Sequence, residues 1–376
     1  MDRRFLNLVM HDLRNSICSL HRMDLGHLFY KTAEIAEQAA EEAKAKKKKL
    51  RYLEPWNGLR KPVISTRTNN FFTLLKESRE GTIMMADSSG CTTLLDTDFN
   101  SVLTIEPMDY GKGPNSVCFY TPDPDPIIDF KDSRNLYVLD LVPGTNSSSF
   151  EFLNYFGTSN LPSEPLVCAH HNWNWNWSTL PVPPFLDDPA YRYSTSSTKE
   201  CSSMLLGGST ICVSSMQEGI GTYTFDTASR PSRNLEWSKA GNWVLPFCGK
   251  AEYVPDLKLW FAFSASSSSP HSLCALDLPA MNLESPPELQ RSWDYLDLPD
   301  SPYRRHLVNL GSGKFCIVSF FKTSTFNAVQ EIILDESAVF TGLEVRRCNG
   351  AEGPVRMIKH MSKRYNFQKY IIHCVF

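Results

Sequence analysis

One short phrase, a brief run with apolar positions that ends on Asp, recurs along the 376-residue chain and constrains its fold more than any other feature. It reads Ile17-Cys-Ser-Leu-His-Arg-Met-Asp24, Thr93-Leu-Leu-Asp96, Leu136-Tyr-Val-Leu-Asp140, Thr222-Tyr-Thr-Phe-Asp226, Leu273-Cys-Ala-Leu-Asp277 and Glu331-Ile-Ile-Leu-Asp335. The aspartates lie 72, 44, 86, 51 and 58 residues apart, and 65 residues separate the last from the first across the joined termini. Ahead of three copies stand aligned pairs of β-rich runs with a tight turn between them: Ser203 to Ser215, Glu252 to Ser264 and His306 to Ser319. Their turns carry Gly207-Gly208, Pro255-Asp256 and Gly311-Ser-Gly313, residues that supply the backbone angles of a reversal. A further edge-like segment follows, with Trp237 or Trp293 in it.

A unit of about four antiparallel strands repeated six times at about 60 residues predicts a β-propeller, because one such unit cannot bury both of its faces alone. Six blades are expected. A seventh, irregular blade from residues 145 to 200 is the alternative, since the 86-residue gap has room for a degenerate unit. The whole chain, 1–376, reads as a single domain. The strands at Pro354 to Tyr365 and Tyr370 to Phe376 have no Asp phrase after them, whereas the N-terminus supplies one, so both ends are expected to share a closing blade. The one helical stretch is an Ala/Glu/Lys-rich insertion at 31–50. Thr32 is placed to cap it, its early Glu and late Lys complement the helix dipole, and its apolar face is Ala with Ile35.

The six aspartates, Asp24, Asp96, Asp140, Asp226, Asp277 and Asp335, are expected to cap strand ends by accepting turn N–H groups rather than to form a ring of acids. Cys168-Ala-His170-His171 followed by Trp173, Trp175 and Trp177 is the most unusual stretch. No second Cys/His pair completes a tetrahedral set, so no metal is expected. Period-two spacing puts the three Trp rings on one side of a strand, either packed between blades or offered as an aromatic shelf. His170, His171, Trp173, Trp175 and Trp177 are accordingly the candidate binding residues.

No Gly-x-Ser-x-Gly elbow and no Gly-rich phosphate loop occurs, and the paired carboxylates at Asp187-Asp188, Asp123 to Asp125 and Asp294 to Asp297 sit in turn contexts. No catalytic residue and no cofactor is expected. With 42% hydrophobic and 12% aromatic residues the chain is not disordered, and 38 basic against 41 acidic residues give a net charge of -3 that argues against nucleic acid. Lys46-Lys-Lys-Lys-Leu-Arg51 reads as a solvated helix end or a short import signal. The 11 scattered Cys, the lack of a long apolar run and the charged start are those expected of a monomeric protein of the cytosol or nucleus, without a membrane and with an unknown protein partner.

Arg4-Phe-Leu-Asn-Leu-Val-Met, Ser19-Leu-His-Arg-Met-Asp24, Gly219 to Asp226, and Trp243 to Leu257 together resemble a plant family, expanded in grasses, whose shared region is a domain of unknown function. The resemblance spans nearly the whole chain and implies a propeller like the kelch and F-box-associated ones. It supplies no catalytic residues. Kelch repeats usually carry Gly-Gly followed by spaced Tyr and Trp in each blade, whereas here only Gly207-Gly208 with Tyr223 and Trp237 comes close, so the chain reads as kelch-like and not kelch; no F-box precedes the first strand. The function expected is that of a non-enzymatic protein-interaction scaffold; the alternative is a propeller enzyme or lectin that takes a glycan or small molecule in the central channel.

Overall fold

The computed structural model describes the chain except residues 1–2, 13, 46–60, 68, 77–78, 114–115, 123–133, 142–149, 158–172, 189–190, 192–200, 218, 229–234, 267–271, 278–288, 294–301, 327–330, 349–352 and 368–369. Its strands group into four-stranded antiparallel meanders, the architecture of a β-propeller. The second meander is β4 (Asn69–Lys76), β5 (Arg79–Asp87), β6 (Thr92–Asp96) and β7 (Ser101–Ile105). The third is β8 (Val117–Pro122), β9 (Arg134–Leu139), β10 (Phe150–Gly157) and β11 (Trp173–Leu180). The fourth, β12 (Cys201–Leu206), β13 (Thr210–Ser215), β14 (Gly221–Asp226) and β15 (Ser238–Gly241), joins the fifth, β16 (Phe247–Val254), β17 (Leu259–Ser264), β18 (Leu273–Leu276) and β19 (Leu289–Trp293). Two parallel pairs between β12 and β16, Ser202 with Gly249 and Ser203 with Lys250, make that junction. The sixth is β20 (Arg304–Asn309), β21 (Lys314–Phe326), β22 (Glu331–Arg347) and β23 (Val355–Asn366).

The first, closing meander draws on both ends of the chain: β24 (Tyr370–Val375) pairs with β1 (Phe5–Asp12), followed by β2 (Ile17–Asp24) and β3 (Ile64–Thr66). Leu8 stands opposite Val375 and Asp12 opposite Tyr370, and the pairing is extended by Phe376 N to Asn7 O at 3.1 Å and Asn7 N to Phe376 O at 3.0 Å.

Alternation along the strands explains why the sequence shows near-continuous apolar runs. In β4, Phe71 and Leu75 pack toward the third meander while Phe72 and Leu74 pack toward the closing one; in β5, Met84 and Ala86 divide from Ile83 and Met85 the same way. In β21, Phe315 and Ile317 face the fifth meander, and Cys316, Val318 and Phe320 face the closing one. Each sheet is thus buried on both faces, and at about 25 cal/mol per Å² of apolar surface these clusters supply most of the driving force for folding. The first strands also touch in succession. Arg304 of β20 donates to Ile372 O of β24 (3.3 Å), His373 of β24 contacts Asn70 O of β4 (2.7 Å), and Tyr120 of β8 donates to Leu74 O of β4 (2.7 Å). Tyr191 bridges Leu141 O and Cys201 Sγ of β12, and Asn309 of β20 donates to Tyr253 O of β16.

The three aligned hairpins are β12–β13, β16–β17 and β20–β21. Gly207 and Gly208 have φ of 58° and 78°, the left-handed region where a side chain is strained. Within residues 145–200, β10 pairs with β9 on one side and with β11 on the other, completing the third meander. The uneven Asp spacing has a physical source. Asp140 follows β9, the second strand of its meander, while Asp24, Asp96, Asp226 and Asp277 close or follow a third strand, so one gap shrinks and the next grows.

The helix, α1 (Ala33–Ala45), runs between β2 and β3 of the closing meander in sequence but packs on β23 of the sixth. Ala33 and Ala36 make its buried contact with Ile358, whereas Ile35, expected on the apolar face, is 43% exposed. The partner surface decides which face is inside. The basic segment 46–51 lies outside the described residues.

Candidate functional site

The strongest cluster of chemistry-bearing side chains lies where α1 and the strap before it, residues 25–32, cross the outer strands of the sixth meander. Thr32 Oγ1 accepts from Ile35 N at 3.4 Å, capping the helix as its sequence suggested. Two ion pairs join helix to sheet: Glu34 Oε1 to Arg346 Nη2 of β22 at 3.2 Å, and Glu37 Oε1 to Arg356 Nη1 of β23 at 3.1 Å. The backbone N–H of Glu34, the Thr32 hydroxyl and Arg346 hold the Glu34 carboxyl below its ordinary range.

Below the helix the strap is bonded to an irregular stretch of sheet. The β22–β23 register shifts between Thr341 and Leu343, and there Met361 N donates to Leu28 O at 3.0 Å. Gly342 makes this approach possible, since a Cβ on it would stand 2.5 Å from Leu28 O. His360, buried on β23, receives the Tyr30 N–H at Nδ1 (3.2 Å) and meets Glu344 Oε2 through Nε2 at 3.1 Å. An accepting Nδ1 requires the hydrogen on Nε2, so the ring is neutral and donates to Glu344. Burial, first of all, moves its pKa down, Glu344 opposes this, and Lys314 and Arg346 add to it. Lys314 lies 3.8 Å from Glu344 and over the ring of Phe29, which itself packs 5.0 Å from His360. With both ring nitrogens engaged, the His360–Glu344 pair positions a strap rather than moving protons.

A second feature is a cavity of about 190 Å³ lined by Phe5, Arg22, Lys61, Val63 and Thr97. Arg22 stacks 4.2 Å from the Phe5 ring and donates to Thr97 Oγ1 at 2.8 Å, with Glu80 and Asp98 each 3.8 Å away. On the first strands, Lys250 pairs with Glu252 at 3.4 Å and lies 5.9 Å from the Tyr120 ring.

The residues singled out from sequence disperse. Trp175 and Trp177 are each 8% exposed, in the cluster with Phe71, Met84, Leu136 and Leu153 between the second and third meanders, so these rings pack between sheets. The Trp173 backbone opens β11, and its side chain, with His170 and His171, lies outside the described residues. Asp24 Oδ1 accepts from Gly26 N (2.9 Å), Asp96 Oδ1 from Asp98 N (3.0 Å) and Phe99 N (3.2 Å), and Asp226 Oδ1 from Ala228 N (3.0 Å). Asp140 is buried beyond β9, Asp277 follows β18, and Asp335 lies near the start of β22, opposite Thr323, where the strand continues instead of turning. Among the described residues no three His, Cys, Asp or Glu gather as a metal set, and no helix is long and apolar enough to cross a membrane. Cys212, Cys274 and Cys316 are buried thiols pushed up to about 12 by desolvation.

His360, Glu344, Arg346 and Arg356 were not legible as a site from sequence. Sequence signals only Arg356 and His360 among them, as part of a basic run interspersed with apolar residues at Val355 to Arg364, far along the chain from the Glu-rich helix.

The family model for a protein of unknown function, DUF1668, matches residues 3–365. The chain belongs to that family. No curated protein matches this DUF1668 chain. Among solved structures it is similar to the β-propeller domain of Myceliophteria thermophila Cps50 (Swd1), at 9% identity and TM-score 0.36 over 93% of this chain and 85% of that one. It is also similar to the major Malassezia sympodialis allergen Mala s 1, at 10% identity and TM-score 0.33 over 79% and 86% of the two chains. Kluyveromyces lactis Hsv2 gives 6% identity and TM-score 0.33 over 95% and 99%. The propeller assignment for this DUF1668 member rests on its own strand pairing.

Proposed function

We propose that this DUF1668 chain is a six-bladed, kelch-like propeller that works as a non-enzymatic protein-interaction scaffold in the cytosol or nucleus. Each four-stranded meander is one blade, and the strands of both termini form the closing blade. The observation that carries the scaffold reading is the outer edge of the sixth blade, which holds a peptide segment by one backbone bond, one His-held N–H and two ion pairs. A surface that binds a segment of its own chain in this manner uses the same elements by which strand edges and charged faces hold partners.

Affinity purification of the tagged full chain from its source tissue tests the reading. The expected result is a partner recovered with the wild type and depleted at least tenfold when Arg346→Glu and Arg356→Glu are combined. Recovery of nothing above background overturns it, as does turnover of a substrate lodged against Lys250, Glu252 and Tyr120.

A further inference from the structure

The hold on α1 is shallow and its pattern is simple. Its buried contact consists of two methyl groups, Ala33 and Ala36, on Ile358 beside Tyr30 of the strap, and its two ion pairs are partly exposed, a class that contributes little each. Ile35 points to solvent. Three-residue spacing puts the two alanines on one face and sets Glu34 and Glu37 beside them, so the face is read as small-Glu-x-small-Glu. The bonds that fasten the strap, Leu28 O with Met361 and Tyr30 N with His360, all lie ahead of the helix. The backbone and histidine bonds thus hold the strap, and α1 adds only Ala33, Ala36 and two ion pairs to the seat it shares with Tyr30.

From these observations we infer that the β22–β23 face beneath α1 is a docking surface for an acidic helix of a partner protein, and that α1 is its intramolecular cover. The inference rests on the scaffold reading and names its site and partner class. The partner is a helix with small residues three apart, each followed by an acid, because Arg346 and Arg356 reward carboxylates at those places and Ile358 leaves room for methyls. Being tethered, α1 enjoys a high effective concentration and holds the face closed to weak competitors.

The test uses a fluorescent peptide of residues 30–45 titrated against the full chain and against a full chain carrying Glu34→Arg and Glu37→Arg, which releases α1. The peptide is expected to bind the released chain at least tenfold more tightly than the wild type, and to lose that binding when its own two glutamates are changed to arginine. Equal affinity for the two chains, or for the two peptides, overturns the inference. Hydrogen exchange on the unmodified chain provides a readout independent of variant folding. Amides of residues 37–45 are expected to exchange at least tenfold faster than those of Val345 and Met357, and equal protection overturns the inference. A partner still depleted by Arg346→Glu with Arg356→Glu, combined with no peptide binding, refutes the acidic-helix assignment and leaves the scaffold reading standing.

Discussion

His360 Nδ1 accepts the backbone N–H of Tyr30 at 3.2 Å, a bond that spans 330 residues of sequence and joins the strap before α1 to the sixth meander. The contact works in one protonation state, because a proton on Nδ1 removes the lone pair that Tyr30 needs. Glu344 on Nε2 fixes the required tautomer, while Lys314 and Arg346 oppose a second charge. The chain thus has a pH-dependent fastening for the strap that precedes α1.

Acid weakens the fold over a definable window. His360, His373 and His306 all have pKa values below the ordinary 6.5, each chiefly through burial, and His306 is lowered to about 3 with Arg304 adding to the effect. Above 6.5 folded and unfolded states are both neutral at these rings. As pH falls below 6.5, the unfolded chain binds protons that the folded chain excludes, so stability drops. For His306 alone the loss between pH 6.5 and 5.5 is about 1 kcal/mol. Denaturant melts at pH 6.5 and 5.5 measure it; His306→Leu is expected to reduce the difference by about that amount, and an unchanged difference disproves the assignment.

Lys112 and Glu151 form a fully buried ion pair between the β7–β8 connection and β10, where Glu151 also accepts from Asp109 N and Lys112 donates to Tyr110 O. Desolvation lowers the Lys112 pKa against the pull of Glu151. Removing one partner leaves the other charge buried, so Lys112→Met is expected to cost about 3–5 kcal/mol in urea unfolding. Lys112→Met combined with Glu151→Leu is expected to recover most of it. A double variant as unstable as the sum of the singles contradicts this account.

Sequence reading succeeded where the determining physics is local. The turns at Gly207-Gly208, Pro255-Asp256 and Gly311-Ser-Gly313 carry their own backbone preferences, so the hairpins around them were legible. Thr32 as a helix cap was legible for the same reason. The third meander was obscured because Asp140 ends a second strand, and a short phrase does not reveal which strand of a unit it occupies. The burial of Ala33 and Ala36 in place of Ile35, and the His360 network, depend on surfaces that meet only after the ring forms. Hydrophobicity ranks Ile above Ala, but the shallow seat on Ile358 selects methyl groups.

Gly342 is predicted to be essential to the strap. A Cβ there meets Leu28 O at 2.5 Å, a backbone atom held by Met361 N, so Gly342→Ala must displace the strap or the bulge. The expected cost is about 1–3 kcal/mol, in the range of overpacked sites. Gly208→Ala, by contrast, enters open space at φ of 78° and costs about 1–2 kcal/mol through backbone strain alone. Hydrogen exchange separates the two: Gly342→Ala is expected to speed exchange at Met361, and Gly208→Ala to leave it unchanged. Unaltered protection of Met361 in Gly342→Ala refutes the role.

Trp177 is predicted to act through stability and not through contact with a ligand. Its ring is buried with that of Trp175 among Phe71, Met84, Leu94 and Leu136, at the junction of the second and third meanders. Among the described residues edge strand β11 pairs with β10 alone, so these two rings are its main described attachment to the second meander. Trp177→Ala is expected to lose about 3–5 kcal/mol, in line with large-to-small changes in a packed core. Trp177→Phe retains most of the apolar surface and is expected to lose much less. An aromatic shelf makes the opposite forecast, with both variants as stable as the wild type and a partner lost. Thermal unfolding of the two variants beside partner recovery decides between these, since a shelf residue moves binding at constant stability and a core residue moves stability first.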